Sequence, residues 1–354
     1  MSIIWAGNRR AHHMSNNSVA FASLSAPLQI GPVEVPARCF LAPMSGVTDL
    51  PFRRLAARFG AGLVVSEMVA SEELVGGGAE ASLRAEGDGL SPHVVQLAGR
   101  EAHWMREGAK QAEDAGADII DINMGCPAKR VTTGYSGSAL MRDLDHAMTL
   151  VEATIAAVSI PVTLKMRLGW DERSVNAPEL ARRAEDAGIA LVTVHGRTRN
   201  QFYKGRADWR AIGAVREAIS IPLVANGDCE TTDDARRMIE LSGADAVMIG
   251  RGAYGRPWQA GLIGAELAGR RYEAVPTGED LAALVIEHYE MMLSHYGEGL
   301  GVRTARKHLS WYLDGVAEPM PAATRQRMLT STDPREVIGM ARDWFSGQAM
   351  RRAA

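Results

Sequence analysis

Between residues 35 and 250 the chain repeats one pattern: a short aliphatic or β-branched run closed by Gly, Pro or Asn, then a longer stretch with apolar positions at helical spacing. Eight such runs lie near 38–42, 62–66, 93–97, 118–123, 161–166, 190–195, 222–226 and 245–250. Strand alternating with helix predicts parallel pairing through right-handed crossovers. Repeated phrases such as Asp114-Ala115-Gly116-Ala117-Asp118 and Ser242-Gly243-Ala244-Asp245 stand just before a run, where Gly can take the left-handed conformation that ends a helix. Eight units over about 230 residues predict an α/β fold of the (β/α)8 TIM-barrel type, since a doubly wound sheet usually has fewer strands. After Pro276-Thr277-Gly278 the strand-like runs stop, and 279–297, 301–313 and 335–345 carry helical periodicity. The expected divisions are therefore a poorly ordered leader (1–25), a catalytic barrel (26–275) and a small C-terminal α-helical domain (276–354).

Composition adds limits. The 354 residues are 46% hydrophobic and 23% charged, enough to bury a large core, and no apolar run approaches the roughly 20 residues that span a bilayer. Three cysteines, at 39, 126 and 229, have no paired spacing for a disulfide framework or a CxxC metal site. A reducing, cytoplasmic compartment, no membrane and a monomer are expected. Charge is uneven: residues 301–354 hold nine Lys or Arg against five Asp or Glu, a net +4 that leaves −7 for the rest. A basic tail on an acidic body points to a polyanion partner, with a solvated helical face as the alternative.

In a barrel of this type chemistry sits where the strands end, so those positions can be read out. The first run ends in Pro43-Met44-Ser45-Gly46, the second in Ser66-Glu67, the third in Gln96, the fourth in Asn123 and Cys126, and the fifth in Lys165 and Arg167. The sixth ends in His195-Gly196-Arg197, the seventh in Asn226-Gly227-Asp228 and the eighth in Gly250-Arg251-Gly252. Cys126 stands where Gly125 and Pro127 force the backbone out of its strand, and its bland alternative is an inert buried thiol. Any one of these has a structural explanation; together they describe a polar mouth. Glycines and Arg251 after the last two strands suit a phosphate, while Lys165 and Gln96 across the mouth suit the polar edge of a planar ring. That pairing suits flavin mononucleotide (FMN). His and acidic residues at the mouth are too few for a zinc or two-metal set, so no metal is expected.

Several segments resemble the tRNA-dihydrouridine synthase family: Leu41-Ala42-Pro43-Met44-Ser45-Gly46-Val47-Thr48-Asp49, Gln96-Leu97-Ala98-Gly99, Asp121-Ile122-Asn123-Met124-Gly125-Cys126-Pro127, Leu164-Lys165-Met166-Arg167-Leu168-Gly169-Trp170, Val194-His195-Gly196-Arg197-Thr198, Asn226-Gly227-Asp228 and Met248-Ile249-Gly250-Arg251. Arg303 to Tyr312 is similar to the helical domain of the bacterial B-type subfamily. The resemblance implies that Pro43, Met44 and Ser45 flank a flavin, that Gln96 and Lys165 contact its ring, and that Asn226, Gly227, Asp228, Gly250 and Arg251 hold its phosphate with His195 nearby. It further implies a tRNA substrate, with Asn123, Arg167, Arg303, Arg306 and Lys307 on the RNA side and with Arg325 and Arg327 as further phosphate contacts. Reduced FMN would give hydride to C6 of a uracil, Cys126 would protonate C5, and NADPH would re-reduce the flavin; the B-type likeness points to uridine 17 of the D-loop. Thiols as a class suit the acid role, since an ordinary pKa near ~8.5 leaves them protonated at neutral pH. Two other readings remain at this stage: an FMN-dependent reductase of a free pyrimidine, and an RNA-binding regulatory protein that keeps the fold without turnover.

Overall fold

The computed structural model describes residues 24–273 and 275–348; the expected leader lies almost wholly outside them. Eight parallel strands close a barrel: β3 (Cys39–Leu41), β4 (Leu63–Ala70), β5 (Val94–Ala98), β6 (Ile119–Met124), β7 (Val162–Arg167), β8 (Leu191–His195), β9 (Leu223–Asn226) and β10 (Ala246–Ile249), with β10 pairing back onto β3. Each coincides with an expected run to within a few residues, and helices fill the intervals between them, so the chain is a TIM barrel followed by C-terminal helices.

Period-two alternation sorts the side chains. Ile120, Ile122 and Met124 of β6, Val162, Leu164 and Met166 of β7 and Val192 and Val194 of β8 join the apolar layer shared with the outer helices. Their neighbours, Asp121 and Asn123, Thr163 and Lys165, Thr193 and His195, are left on the barrel axis. The lower interior is apolar and is closed by an antiparallel hairpin that the sequence pattern does not announce. Strands β1 (Leu28–Ile30) and β2 (Val33–Val35) bring Leu28, Ile30 and Val35 against Phe40, Val65, Ile119, Leu191 and Val224. Arg38 fastens this plug, donating to the carbonyls of Ala26, Pro27 and Asp245. With one end plugged, the other is left open to ligands.

Four helices follow the barrel: Gly278–Tyr296, Glu298–Gly315, Ala322–Thr330 and Pro334–Phe345. They enclose their own apolar core, which reaches the barrel through Leu55 and Trp258. At the junction Phe52 packs on His288 and His308, and His288 Nδ1 lies 3.1 Å from the Tyr312 hydroxyl. Ala322–Thr330 was not legible as a helix, because Met328 is its one buried side chain and its apolar face is correspondingly thin.

Candidate active site at the barrel mouth

The alternation that lines the axis, together with the loops that leave the strands, gathers every barrel residue expected at the site. Pro43, Met44, Ser45, Gln96, Asn123, Cys126, Lys165, Arg167, His195, Asn226, Gly227, Asp228, Gly250 and Arg251 all line one cavity of about 860 Å3. That size is within the range of small-molecule and cofactor sites.

On one wall a chain of hydrogen bonds crosses three strands. Thr163 Oγ1 donates to Asp121 Oδ1 (2.6 Å), Gln96 Nε2 to Asp121 Oδ2 (2.6 Å) and Asn123 Nδ2 to Gln96 Oε1 (2.7 Å). Asn123 Oδ1 accepts from the backbone N–H groups of Gly125 (3.1 Å) and Cys126 (3.0 Å). The Cys126 carbonyl in turn accepts from the amide (3.1 Å) and hydroxyl (2.8 Å) of Ser138. Gly137 permits this approach, because at its φ of +60° a Cβ would lie 2.9 Å from the Cys126 carbonyl oxygen. Cys126, half-buried at the rim, is therefore held from both sides.

Arg167 is buried and binds three backbone carbonyls, Nε that of Gly125 (2.8 Å) and Nη1 those of Thr198 and Phe202 (2.9 Å each), besides a side-chain bond with Tyr203. It ties the Cys126 loop to the loop after β8. Burial, with the neighbouring Arg197 cation, brings its pKa down to about 10.

Deeper in the mouth Lys165 Nζ donates to Asn226 Oδ1 (3.2 Å), whose own Nδ2 is fixed by the Met248 carbonyl (2.8 Å). Burial and the Arg167 charge lower the Lys165 pKa to about 8, while Asp121 opposes the shift. Burial raises Asp121, against the bonds from Thr163 and Gln96 and the Lys165 charge. His195 is held neutral: burial, then the cations Arg167, Lys165, Arg197 and Arg251, push its pKa well below the ordinary value. Its Nδ1 is buried with no partner among the described residues.

At the last two strand ends Asp228 has a left-handed φ of +53° and does not offer its carboxylate to a ligand. Both oxygens bind Arg197, one also binds Arg251 (3.1 Å), and the other accepts from the Ala207 amide (2.8 Å). Burial alone would raise its pKa, but these bonds, led by Arg197, lower it. The guanidinium of Arg251 is thereby aimed at the mouth beside Gly227, whose φ of +118° and close neighbours, Ala207 Cβ and the His195 ring, leave no room for a side chain.

The residues expected to meet RNA through the tail do not line this cavity, although Lys307 abuts its lining residue Gly46, and they differ from one another in role. Arg303 is exposed on its helix. Arg306 donates to the Thr330 carbonyl (3.2 Å), and Lys307 is half-buried against Gly46, where Asp49 and Glu67 offset the burial that lowers its pKa. Arg325 pairs with Asp314 (2.9 Å) and Arg327 with Glu336, while Arg351 and Arg352 lie outside the described residues. Of the tail's seven described cations, Arg325 and Arg327 are thus paired within its own helices. Arg130 lines the cavity, and Lys129, Arg130 and Arg142, like Arg303, Arg335 and Arg342 of the tail, have no ion pair among the described residues; in the neighbouring loops Arg142 stacks over Tyr135 and Trp170, Arg199 over Trp170 and Phe202, and Arg251 over Tyr203.

Sequence reasoning read Arg197 only as part of a polar strand end, and did not single out Asp121, Thr163, Phe202 or Tyr203. Strict alternation from Asn123 would have turned Asp121 inward. No spacing signals the Arg197–Asp228 pair, which joins two loops across a strand and a helix.

A plugged parallel barrel that opens onto fixed amides, a buried cation and a restrained thiol has the organisation of a barrel enzyme, which works where its strands release their loops. The chain belongs to the dihydrouridine synthase family, and so is an oxidoreductase: the sequence model of that family matches residues 40–346. It is 65% identical over 300 residues to a probable tRNA-dihydrouridine synthase of Rhizobium leguminosarum bv. phaseoli, covering 85% of this chain and 92% of that one. It is 43% identical over 319 residues to tRNA-dihydrouridine synthase B of Xanthomonas axonopodis pv. citri, covering 90% and 96%. Among solved structures the fold is similar to a 2-naphthoyl-CoA reductase in complex with 2-naphthoyl-CoA (TM-score 0.54, 14% identity, 71% of this chain and 53% of that one) and to TcOYE with pHBA (TM-score 0.52, 14%, 68% and 92%).

Proposed function

We propose that the protein reduces the C5–C6 double bond of a D-loop uridine in tRNA, uridine 17 by its B-type resemblance, using FMN with NADPH as reductant. The names of its relatives support the substrate, and the carrying observation is Cys126, restrained at the rim of a cavity to which the two flanking strands bring Gln96 and Lys165. A flavin fits the residues present. The unpartnered His195 Nδ1, the Lys165 ammonium with one bond of the three it can donate, and Arg251 beside Gly227 and Gly250 offer donors at two ends of the slot. Bound there in its reduced form, the flavin supplies hydride to C6 of the base. Cys126 supplies the proton to C5 from its thiol, so that one hydride and one proton saturate the bond. Lys165 and Gln96 orient the ring edge, and Asp228 acts indirectly by aiming Arg251 at the phosphate rather than touching it. Asn123 faces the base, which must leave its stack to enter the mouth. Arg167 serves the base through the two loops it ties. On the outside, Arg303 and the unpaired cations and aromatic rings at the rim meet the RNA backbone and unstacked bases.

The internal pairing of Arg325 and Arg327 favours a second reading, in which the same site reduces a free pyrimidine. Purified protein with prereduced flavin decides between them. Incubated with tRNA lacking the modification, it should form one dihydrouridine per flavin, and Cys126→Ala should retain flavin while losing at least about 100-fold in rate. Equal turnover of free uracil would favour the second reading.

A further inference from the structure

Building on the proton-donor reading of Cys126, we infer that Asp121, out of reach at the barrel axis, is a positioning residue that fixes the hydrogen-bond polarity of Gln96 and Asn123 and so seats the Cys126 loop. Some groups along this wall have a polarity that cannot change. The backbone N–H groups of Gly125 and Cys126 are donors only, so the side-chain atom of Asn123 that meets both must be its oxygen. The Asn123 amide nitrogen is then turned to Gln96 and must meet an acceptor, which makes the facing Gln96 atom its oxygen. The Gln96 nitrogen is left facing Asp121 and needs an acceptor in its turn. A carboxylate supplies one without ambiguity. Its other oxygen is anchored by the Thr163 hydroxyl, which has no other hydrogen bond among the described residues. Each amide taken alone could rotate by 180° with little change in shape. Joined in series, they have one consistent arrangement, and its fixed points are the Cys126 backbone at one end and Asp121 at the other.

The placement of Asp121 makes this more than packing. A buried acid is costly unless satisfied, and both oxygens of Asp121 are satisfied here, one by Thr163 and the other by Gln96. The same arrangement leaves the second N–H of Gln96 and the second N–H of Asn123 free for a ligand, so the wall presents donors rather than a mixture. Reversing Gln96 would offer its oxygen to Asp121 and its nitrogen to the Asn123 nitrogen, breaking two bonds at once and releasing Asn123 from the Cys126 loop.

The test compares half-reactions in the flavin-loaded protein. In Asp121→Val, reduction of the flavin by NADPH should slow much less than reduction of the uracil, because that step keeps Lys165 at the ring edge and does not use the thiol. Single-turnover reduction of uracil in unmodified tRNA should fall about 10- to 100-fold, the scale of a displacement of the reacting group by a fraction of an ångström to an ångström. Asp121→Asn, which can offer its oxygen to Gln96 and its nitrogen to Thr163, should restore most of the rate. Since Asp121 acts through Cys126, the double variant Asp121→Val/Cys126→Ala should be no slower than Cys126→Ala alone. Should Asp121→Val fail to fold, Thr163→Val withdraws only the hydroxyl that steadies Asp121 and carries the same comparison at smaller amplitude. Multiplying effects of the two substitutions, or equal slowing of both half-reactions, would overturn the inference while leaving the proton donor in place. An unimpaired Cys126→Ala would bring down the proton-donor reading and this inference with it.

Discussion

Arg167 shows how a charged side chain at a strand end acquires its role from what surrounds it. As the residue two beyond Lys165, it reads in the sequence as a further cation at the mouth, available to a ligand. In the fold it is buried and three backbone carbonyls take its donors, so it governs where two loops sit. Asp228 is a parallel case: a carboxylate beside an expected phosphate, with both oxygens already engaged by Arg197, Arg251 and Ala207. Both placements depend on carbonyls and amides that approach from distant loops, which no local pattern encodes. Arg167→Lys keeps the charge but cannot reach three carbonyls in a fixed fork. It should retain flavin, lower kcat on tRNA about 10-fold or more, and expose the 198–205 loop to limited proteolysis. Unchanged protection of that loop with unchanged kcat would show that the strap is dispensable.

At the scale of elements, the barrel was legible because each strand carries its own announcement, an aliphatic run closed by a turn residue, and because the outer faces of Ile120, Ile122 and Met124 demand a covering layer. The β1–β2 hairpin was not, since three-residue strands are too short for alternation to register and their burial is decided by Phe40 and Ile119 far along the chain. The junction between barrel and helices was also hidden, and it carries a pH dependence. His288 is buried with its pKa down at about 3, and burial, with the neighbouring His288 and Lys307, drives His308 well below the ordinary value. Asp49, across the same junction, is raised by burial to about 6. For the histidines the unfolded chain binds protons below pH 6.5 that the folded chain refuses, so stability is present above that pH and is lost as pH falls toward 3. Asp49 acts oppositely between pH 3.8 and 6, since there the folded state holds the proton. Two histidines against one carboxyl leave stability rising with pH across the window. Replacing His288 by Gln should flatten that slope by about one proton, or roughly 1.4 kcal/mol per pH unit, in denaturant titrations between pH 4 and 6. A slope identical to that of the wild type would mean that His288 is already charged in the fold.

For the molecule as a whole, a plugged barrel and a helical annex divide the work: the barrel holds one cavity with a restrained thiol, and the outer surface governs what reaches it. Net charge together with the family resemblance assigned the RNA to the tail. Arg130, unpaired among the described residues, lines the cavity itself, so on the proposed function a second cationic contact lies at the mouth, where a base turned out of its stack would arrive beside Cys126. The arrangement accounts for a substrate too large to enter and a reaction that needs one hydride and one proton on adjacent carbons. The most direct test is made in cells lacking this gene, by mapping dihydrouridine position by position in tRNA after complementation with the wild-type chain or with Cys126→Ala. The account predicts that one D-loop position loses the modification, that the wild-type chain restores it, and that Cys126→Ala does not. Dihydrouridine at full level in the deletion strain, or restored by Cys126→Ala, would contradict it.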